Sequence, residues 1–182
     1  MTVDHDMRGF SLLELLLAAA LGTVVFASVL QLLIGESLQS GALAKRLQLR
    51  RVQRRTLRLL QADLSGAKSW QLDPDPSPAW PCPIAGRQAL LSITLLQSSV
   101  PVVYSLGPAP SGIWRGSVLM RCGPAFDLDG RPRLDSRYQN RVVLDALDAV
   151  RLEQDPALPL VRLQLEQRSP GSDQPVVSSA VG

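Results

Sequence analysis

The sequence predicts an α+β chain: a long N-terminal helix, its first half apolar enough to enter a membrane, packed on a C-terminal antiparallel β-sheet. Three observations carry this. Residues 10–35 are dense in Leu, Ala and Val, with Glu14 as their single charge. Beyond them an apolar stripe continues at helical spacing. Fourteen prolines are then concentrated after residue 73, where short alternating runs replace the helical pattern. At 182 residues the chain has room for one domain with a sizeable core and not for two large ones.

The apolar run comes first. At 1.5 Å per residue it is long enough for a hydrocarbon core of roughly 30 Å. Its polar side chains, besides Glu14, are Ser11, Thr23, Ser28 and Gln31. A secretory signal peptide has a shorter apolar region that ends in a small-residue cleavage site. A plain single-span anchor accounts for the length and not for Glu14, because a carboxylate in the hydrocarbon costs about 2.5–3.5 kcal/mol on insertion scales. A helix in which that carboxylate has a designated partner accounts for both.

The helical pattern continues through "ESLQSGALAKRLQLRRVQRRTLRLLQADLSGA". Leu38, Ala42, Leu49, Val52, Thr56 and Leu59 with Leu60 form the expected core-facing stripe. Lys45, Arg46, Arg50, Arg51, Arg54, Arg55 and Arg58 occupy much of the remaining surface. The net charge is +3 and the isoelectric point about 9.3, so the basicity describes this patch more than the whole chain. A solvated helix face is the plainest reading. Anionic lipid head groups or an acidic neighbouring subunit are the alternatives. DNA is a weaker one, since no aromatic residues interleave with the charges.

After "SGAKSW" the chain changes character. "LDPDPSPAWPCPIAG" reads as a proline-rich loop. "ALLSITLL", "VPVVYSL", "GIWRGSVLMRC", "AVRLEQ" and "LPLVRLQLEQ" read as strands, the last with clean alternation from Val161 to Glu166. Residues 107–112 read as the connection of a hairpin between Tyr104 and Trp114. "NRVVLDAL" is ambiguous between strand and short helix.

"RGFSLLELLLAAALG" resembles the N-terminus of type IV prepilins and of the pseudopilins of type II secretion. In that family a short leader ends in Gly, Phe follows, and Glu comes four residues later. Gly9, Phe10 and Glu14 hold these places. The resemblance implies cleavage between Gly9 and Phe10 by a prepilin peptidase, N-methylation of Phe10 by the same enzyme, and pairing of Glu14 with the Phe10 amine of a neighbouring subunit. It implies a pilin-like roll divided as a cleaved cytoplasmic leader (1–9), a transmembrane and assembly helix (10–35), a basic amphipathic extension (36–67) and a globular β domain (68–182). Asp4 and Asp6 offset Arg8, where such leaders are basic; the leader "MRG", starting at Met7, fits better. His5 falls in the removed piece.

"VVLDALDAVRLEQ" followed by "LPLVRLQLEQ" resembles the final strands of W-type minor pilins and J-type pseudopilins. The expected role is a low-copy pilin-like subunit that helps initiate or cap a type IV pilus, with a J-type pseudopilin or an unrelated membrane-anchored binding module as alternatives. The expected partners are other pilin or pseudopilin subunits, the peptidase and inner-membrane lipid. The leader resemblance places the N-terminus in the cytoplasm and the globular domain outside it, against the tendency of basic residues to stay inside.

An extracytoplasmic domain favours a disulfide between Cys82 and Cys122 over two buried thiols. Asp127, Asp129 and Asp135 are oxygen ligands by type, but Arg131 and Arg133 stand between them and EF-hand spacing is absent, so "DLDG" reads as a turn and no metal is expected. No histidine base, phosphate loop or triad is present, so neither catalysis nor a cofactor is expected.

Overall fold

A computed structural model of the protein describes residues 11–84, 86–129, 131–168 and 175–182, without the side chains of 32–40 and 42. The chain is α+β, as the sequence predicts. Among the described residues one helix, α1 (Leu12–Ser65), precedes seven strands: β1 (Ala67–Leu72), β2 (Gln88–Leu95), β3 (Val102–Pro108), β4 (Ser117–Gly123), β5 (Gln139–Gln154), β6 (Val161–Arg168) and β7 (Pro175–Val181). Each strand pairs antiparallel with the next, giving one sheet in the order β1 to β7. The chain divides into two compact units, Met1–Ala44 and Lys45–Gly182.

In the second unit the C-terminal part of α1 and the sheet share one core. Leu57, Leu60 and Leu64 of α1 meet Leu91, Ile93, Val102, Tyr104, Leu119, Leu144, Val161, Leu163 and Leu165. The strand pleat selects these residues. In β6, Val161, Leu163 and Leu165 are fully buried, while Arg162 between them is exposed. In β3, Val102 and Tyr104 face the helix; Val103 faces the other way, into a smaller cluster with Cys82, Ala89 and Cys122.

The buried stripe of α1 shares Thr56 and Leu60 with the predicted one and departs from it elsewhere. It runs through Gln53, Thr56, Leu57, Leu60, Asp63 and Leu64, whereas Val52 is 40% exposed and Leu59 half-buried. The side chains of Leu38 and Ala42 lie outside the described residues. Counting apolar residues passes over Gln53 and Asp63 because they are polar, yet these two and Thr56 each have a partner on the sheet. Gln53 donates to the Val176 carbonyl at 2.9 Å and accepts from the Ser178 hydroxyl at 2.7 Å. Thr56 donates to the Val143 carbonyl at 3.0 Å. Further along the helix, Gln61 donates to the Val181 carbonyl at 2.8 Å. Val161 and Gly182 exchange both backbone bonds, so the alternation of the ladder turns the Val181 carbonyl away from β6 and toward that amide.

The ambiguous "NRVVLDAL" is strand, part of the sixteen-residue β5. A bulge divides β5. Ser117 pairs with Leu147 but Leu119 with Leu144, and between them Ala146 has φ 51° and donates its amide to the Arg115 carbonyl. The residues before the bulge pair with β4. From Leu147 onward β5 pairs chiefly with β6, so the bulge is where the sheet curls. The β3–β4 turn also lies later than the sequence suggests: Gly107 and Pro108 belong to β3 and pair with Val118 and Ser117, and Trp114 lies in the connection. Gly107 serves close approach rather than turning, since a Cβ there would sit 2.6 Å from Arg87 Cγ. β1 and β7 were not predicted. "AKSWQL" follows the helix across the single turn residue Gly66 and shows little apolar alternation, and "PVVSSAV" is short and rich in Ser.

Cys82 and Cys122 form a disulfide, with 40 residues of sequence separation and both sulfurs buried. It ties the proline-rich loop to β4 on the sheet face opposite the helix. Closing a loop of this length stabilises the fold by about 4 kcal/mol on the chain-entropy model. Urea unfolding of the lipid-inserted chain before and after reduction should show a loss of that order. Equal midpoints would remove the disulfide from the list of stabilising contacts.

Candidate functional site

The first site is the start of α1. Ser11 is its cap: the Glu14 amide donates to the Ser11 carbonyl at 3.0 Å and to its hydroxyl at 3.2 Å. Ser-x-x-Glu is the spacing of a capping box, which fixes where a helix begins and favours an anion in its first turn. Sequence reading passed over this signal, treating Ser11 as one more polar residue in the run.

Leu12–Gln31 is long and apolar enough to cross a membrane, and its side chains are exposed among the described residues. Its hydroxyls are satisfied internally, Thr23 by the Ala20 carbonyl and Ser28 by the Val24 carbonyl, both at 2.8 Å, which suits a segment without water. The Glu14 carboxylate differs. It is exposed and makes no hydrogen bond or ion pair among the described residues. Gly9 and Phe10, the expected cleavage and methylation positions, lie outside the described residues, as does His5.

The second site lies in the core of the sheet-bearing unit, and the sequence reading missed it. Asp63 of α1, Tyr104 of β3 and Arg121 of β4 are 3%, 1% and 5% exposed. Arg121 engages the carboxylate as a fork, Nε to Oδ2 at 2.7 Å and Nη2 to Oδ1 at 2.9 Å. The Tyr104 hydroxyl donates to Oδ2 at 2.5 Å. The remaining terminal nitrogen of Arg121 donates to the Pro124 carbonyl at 3.2 Å, and the guanidinium lies 4.7 Å from the Phe126 ring centre. A Cβ at Gly123 would overlap the guanidinium, so the glycine makes room for it.

Burial raises the Tyr104 phenol well above its ordinary value of 10.0, and the Asp63 charge adds to this. For Arg121, burial alone would lower the guanidinium, but hydrogen bonding and attraction to Asp63 outweigh it and the group is raised. The sequence held a signal for this cluster: Arg121 interrupts the apolar run "SVLMRC", and Asp63 stands at a core-facing helical position. Neither makes sense without a buried partner.

Two of the three aspartates weighed as metal ligands are engaged by neighbouring residues. The Asp127 carboxylate accepts from the Arg131 amide at 2.7 Å, and Asp135 pairs with Arg133 at 3.4 Å. No group of three or more metal-ligating side chains is present among the described residues. Gly130 lies outside them.

Residues 5–30 match the family model for the prokaryotic N-terminal methylation motif. No curated protein and no solved structure matches the chain. The motif implies processing by prepilin peptidase and assembly with other pilin subunits, and with the exposed apolar helix it fits a membrane-anchored pilin. It supports a type IV prepilin-like family, pilin or pseudopilin.

Two outcomes are expected of the buried cluster. Arg121→Met should destabilise the fold by about 3–5 kcal/mol by stranding a buried carboxylate, and Asp63→Leu with Arg121→Met should recover much of that loss. Tyr104 is neutral in the fold, so its contribution is complete below pH 10 and falls as the unfolded chain ionises above it. Removing this titration in Tyr104→Phe should make the fall above pH 10 shallower by about 1.4 kcal/mol per pH unit. Denaturant titrations at several pH values test both. An unchanged slope would contradict the Tyr104 assignment.

Proposed function

We propose that the protein is a minor, low-copy pilin-like subunit. Prepilin peptidase cleaves it between Gly9 and Phe10 and N-methylates Phe10, and it takes part in initiating or capping a type IV pilus. The observation that carries this is the coincidence of the methylation motif at residues 5–30 with a capped, exposed apolar segment whose one charge, Glu14, lacks a partner among the described residues. Cleavage would create a free α-amine at Phe10. In a fibre that amine, carried by a neighbour, would supply the counter-charge, and a charge pair in a low-dielectric bundle penalises any stagger that leaves one member alone.

Two features support the low-copy role and an extracytoplasmic globular unit. Helix residues 45–58 carry seven basic side chains and no acidic one. Copies stacked in a one-component fibre would repel there. The Cys82–Cys122 disulfide belongs to an oxidising compartment. The second reading, a J-type pseudopilin of a type II secretion pseudopilus, draws on the β5–β6 sequence, which resembles W-type and J-type chains alike.

The mature protein should begin at Phe10 and carry one added methyl group, and Gly9→Val should remain uncut. Intact-mass measurement of assembled material decides this, and an uncleaved leader there would refute the reading. Glu14→Val should still insert and be cleaved, since losing a carboxylate favours transfer to hydrocarbon, but should be lost from sheared fibres. Glu14→Asp should be intermediate because the charge remains with a shorter reach. Fibre incorporation of Glu14→Val equal to that of the parent, at equal membrane level, would show that the carboxylate does not direct assembly.

A further inference from the structure

In the sheet-bearing unit a groove of about 550 Å³ runs between α1 and the β4–β5 side of the sheet. Val52, Leu59 and Ala62 line it from α1, and Phe126, Val142 and Val143 face them. Arg55 and Arg141 also line it. Arg121 reaches the groove too, but its charge is matched by Asp63. We propose that this groove is the docking site for an acidic amphipathic helix of a different polypeptide.

Three observations select that occupant. The first is shape. On α1 the lining positions 52, 55, 59 and 62 follow spacings of three and four, a single ridge of the kind against which a second helix packs. The second is polarity. Val52, 40% exposed, and half-buried Leu59 flank the groove beside the core without belonging to it, so apolar side chains of a partner would remove them from water. The third is charge. Arg55 is exposed and has no hydrogen-bond or ion-pair partner among the described residues, and Arg141 bonds only the neutral Gln139 side chain. The surrounding helix surface carries Lys45, Arg46, Arg50, Arg51, Arg54 and Arg58, all exposed, with no acidic residue from 45 to 62. An occupant with apolar residues on one face and carboxylates beside them satisfies all three.

The same observations weigh against the other occupants. A second copy laid helix to helix brings an identical set of cations. Lipid head groups or a DNA backbone match the charge but have no apolar ridge for Val52 and Leu59. The inference rests on residues of the sheet-bearing unit alone and holds whether or not Phe10 is methylated.

The test uses the full chain in nanodiscs of zwitterionic lipid. The probe is a stapled helical peptide with Leu at three- and four-residue spacing, flanking Glu residues and one photo-crosslinking side chain. The control replaces every Glu by Lys. The Glu peptide should bind and cross-link to Val52, Leu59 or Val142, and the Lys peptide should not. Arg55→Glu should weaken binding about tenfold or more. Arg55→Glu with Arg141→Glu should reverse the preference toward the Lys peptide. Ala62→Trp, at an exposed position, should block binding by filling the groove with the charge unchanged. Equal binding of the two peptides, cross-links elsewhere, no binding, or insensitivity to Ala62→Trp would each overturn the proposal. So would phosphatidylglycerol vesicles, a DNA duplex or a second copy of the chain engaging these residues in place of the Glu peptide.

Discussion

The fork between Asp63 and Arg121, closed by the Tyr104 hydroxyl, is the constraint on which the sheet-bearing unit depends. It joins three elements that are distant in sequence: the last turns of α1, β3 and β4. A buried ion pair is weak as a source of stability, because the desolvation of both charges largely offsets their attraction. Its force lies in what it forbids. A one-residue slip of β4 would turn Arg121 to the opposite sheet face and leave Asp63 unpaired in an apolar core. A rotation of α1 by one position would withdraw Asp63 itself. Leu57, Leu60 and Leu64 tolerate small shifts of packing, but the carboxylate does not.

The polar residues of the helix stripe extend this constraint. Gln53 and Thr56 reach backbone groups of β7 and β5, so α1 is specified along its length by directional bonds as well as by apolar contact. The glycine at position 123 and the ring of Phe126 complete the enclosure around Arg121. The opposite face is held by different means, a small cluster around the Cys82–Cys122 disulfide. One face is registered by charge and the other by a covalent bond.

Much of the architecture was legible in the sequence, and the part that was not has a common cause. The apolar run, the helical continuation and the strand "VRLQLE" follow from periodicity, which reports local burial. Periodicity failed where a polar residue was buried with a distant partner. Val52 and Leu59 were therefore assigned to the core, while Gln53 and Asp63 were passed over. The bulge at Ala146 was hidden because its positive φ falls on an alanine, which carries none of the turn chemistry of Gly or Asn. At the N-terminus the reverse holds. Glu14 stood out because a lone carboxylate is costly in an apolar run, and the methylation motif overlaps the residues that drew attention. The groove beside Arg55 could not be read at all, because its facing walls are brought together only by the sheet.

The side-chain amides that α1 directs at β7 have a consequence for solubility. β7 is an outer strand, and "PVVSSAV" has no charge to discourage pairing with another chain. Such strands are usual starting points for edge-to-edge aggregation. Here Gln61 occupies the Val181 carbonyl, and Gln53 holds Val176 and Ser178 in place. The guard is made early and the strand late: a chain synthesised from its N-terminus completes α1 before β7 exists. This uncharged outer strand therefore emerges when the helix that receives it has already been made.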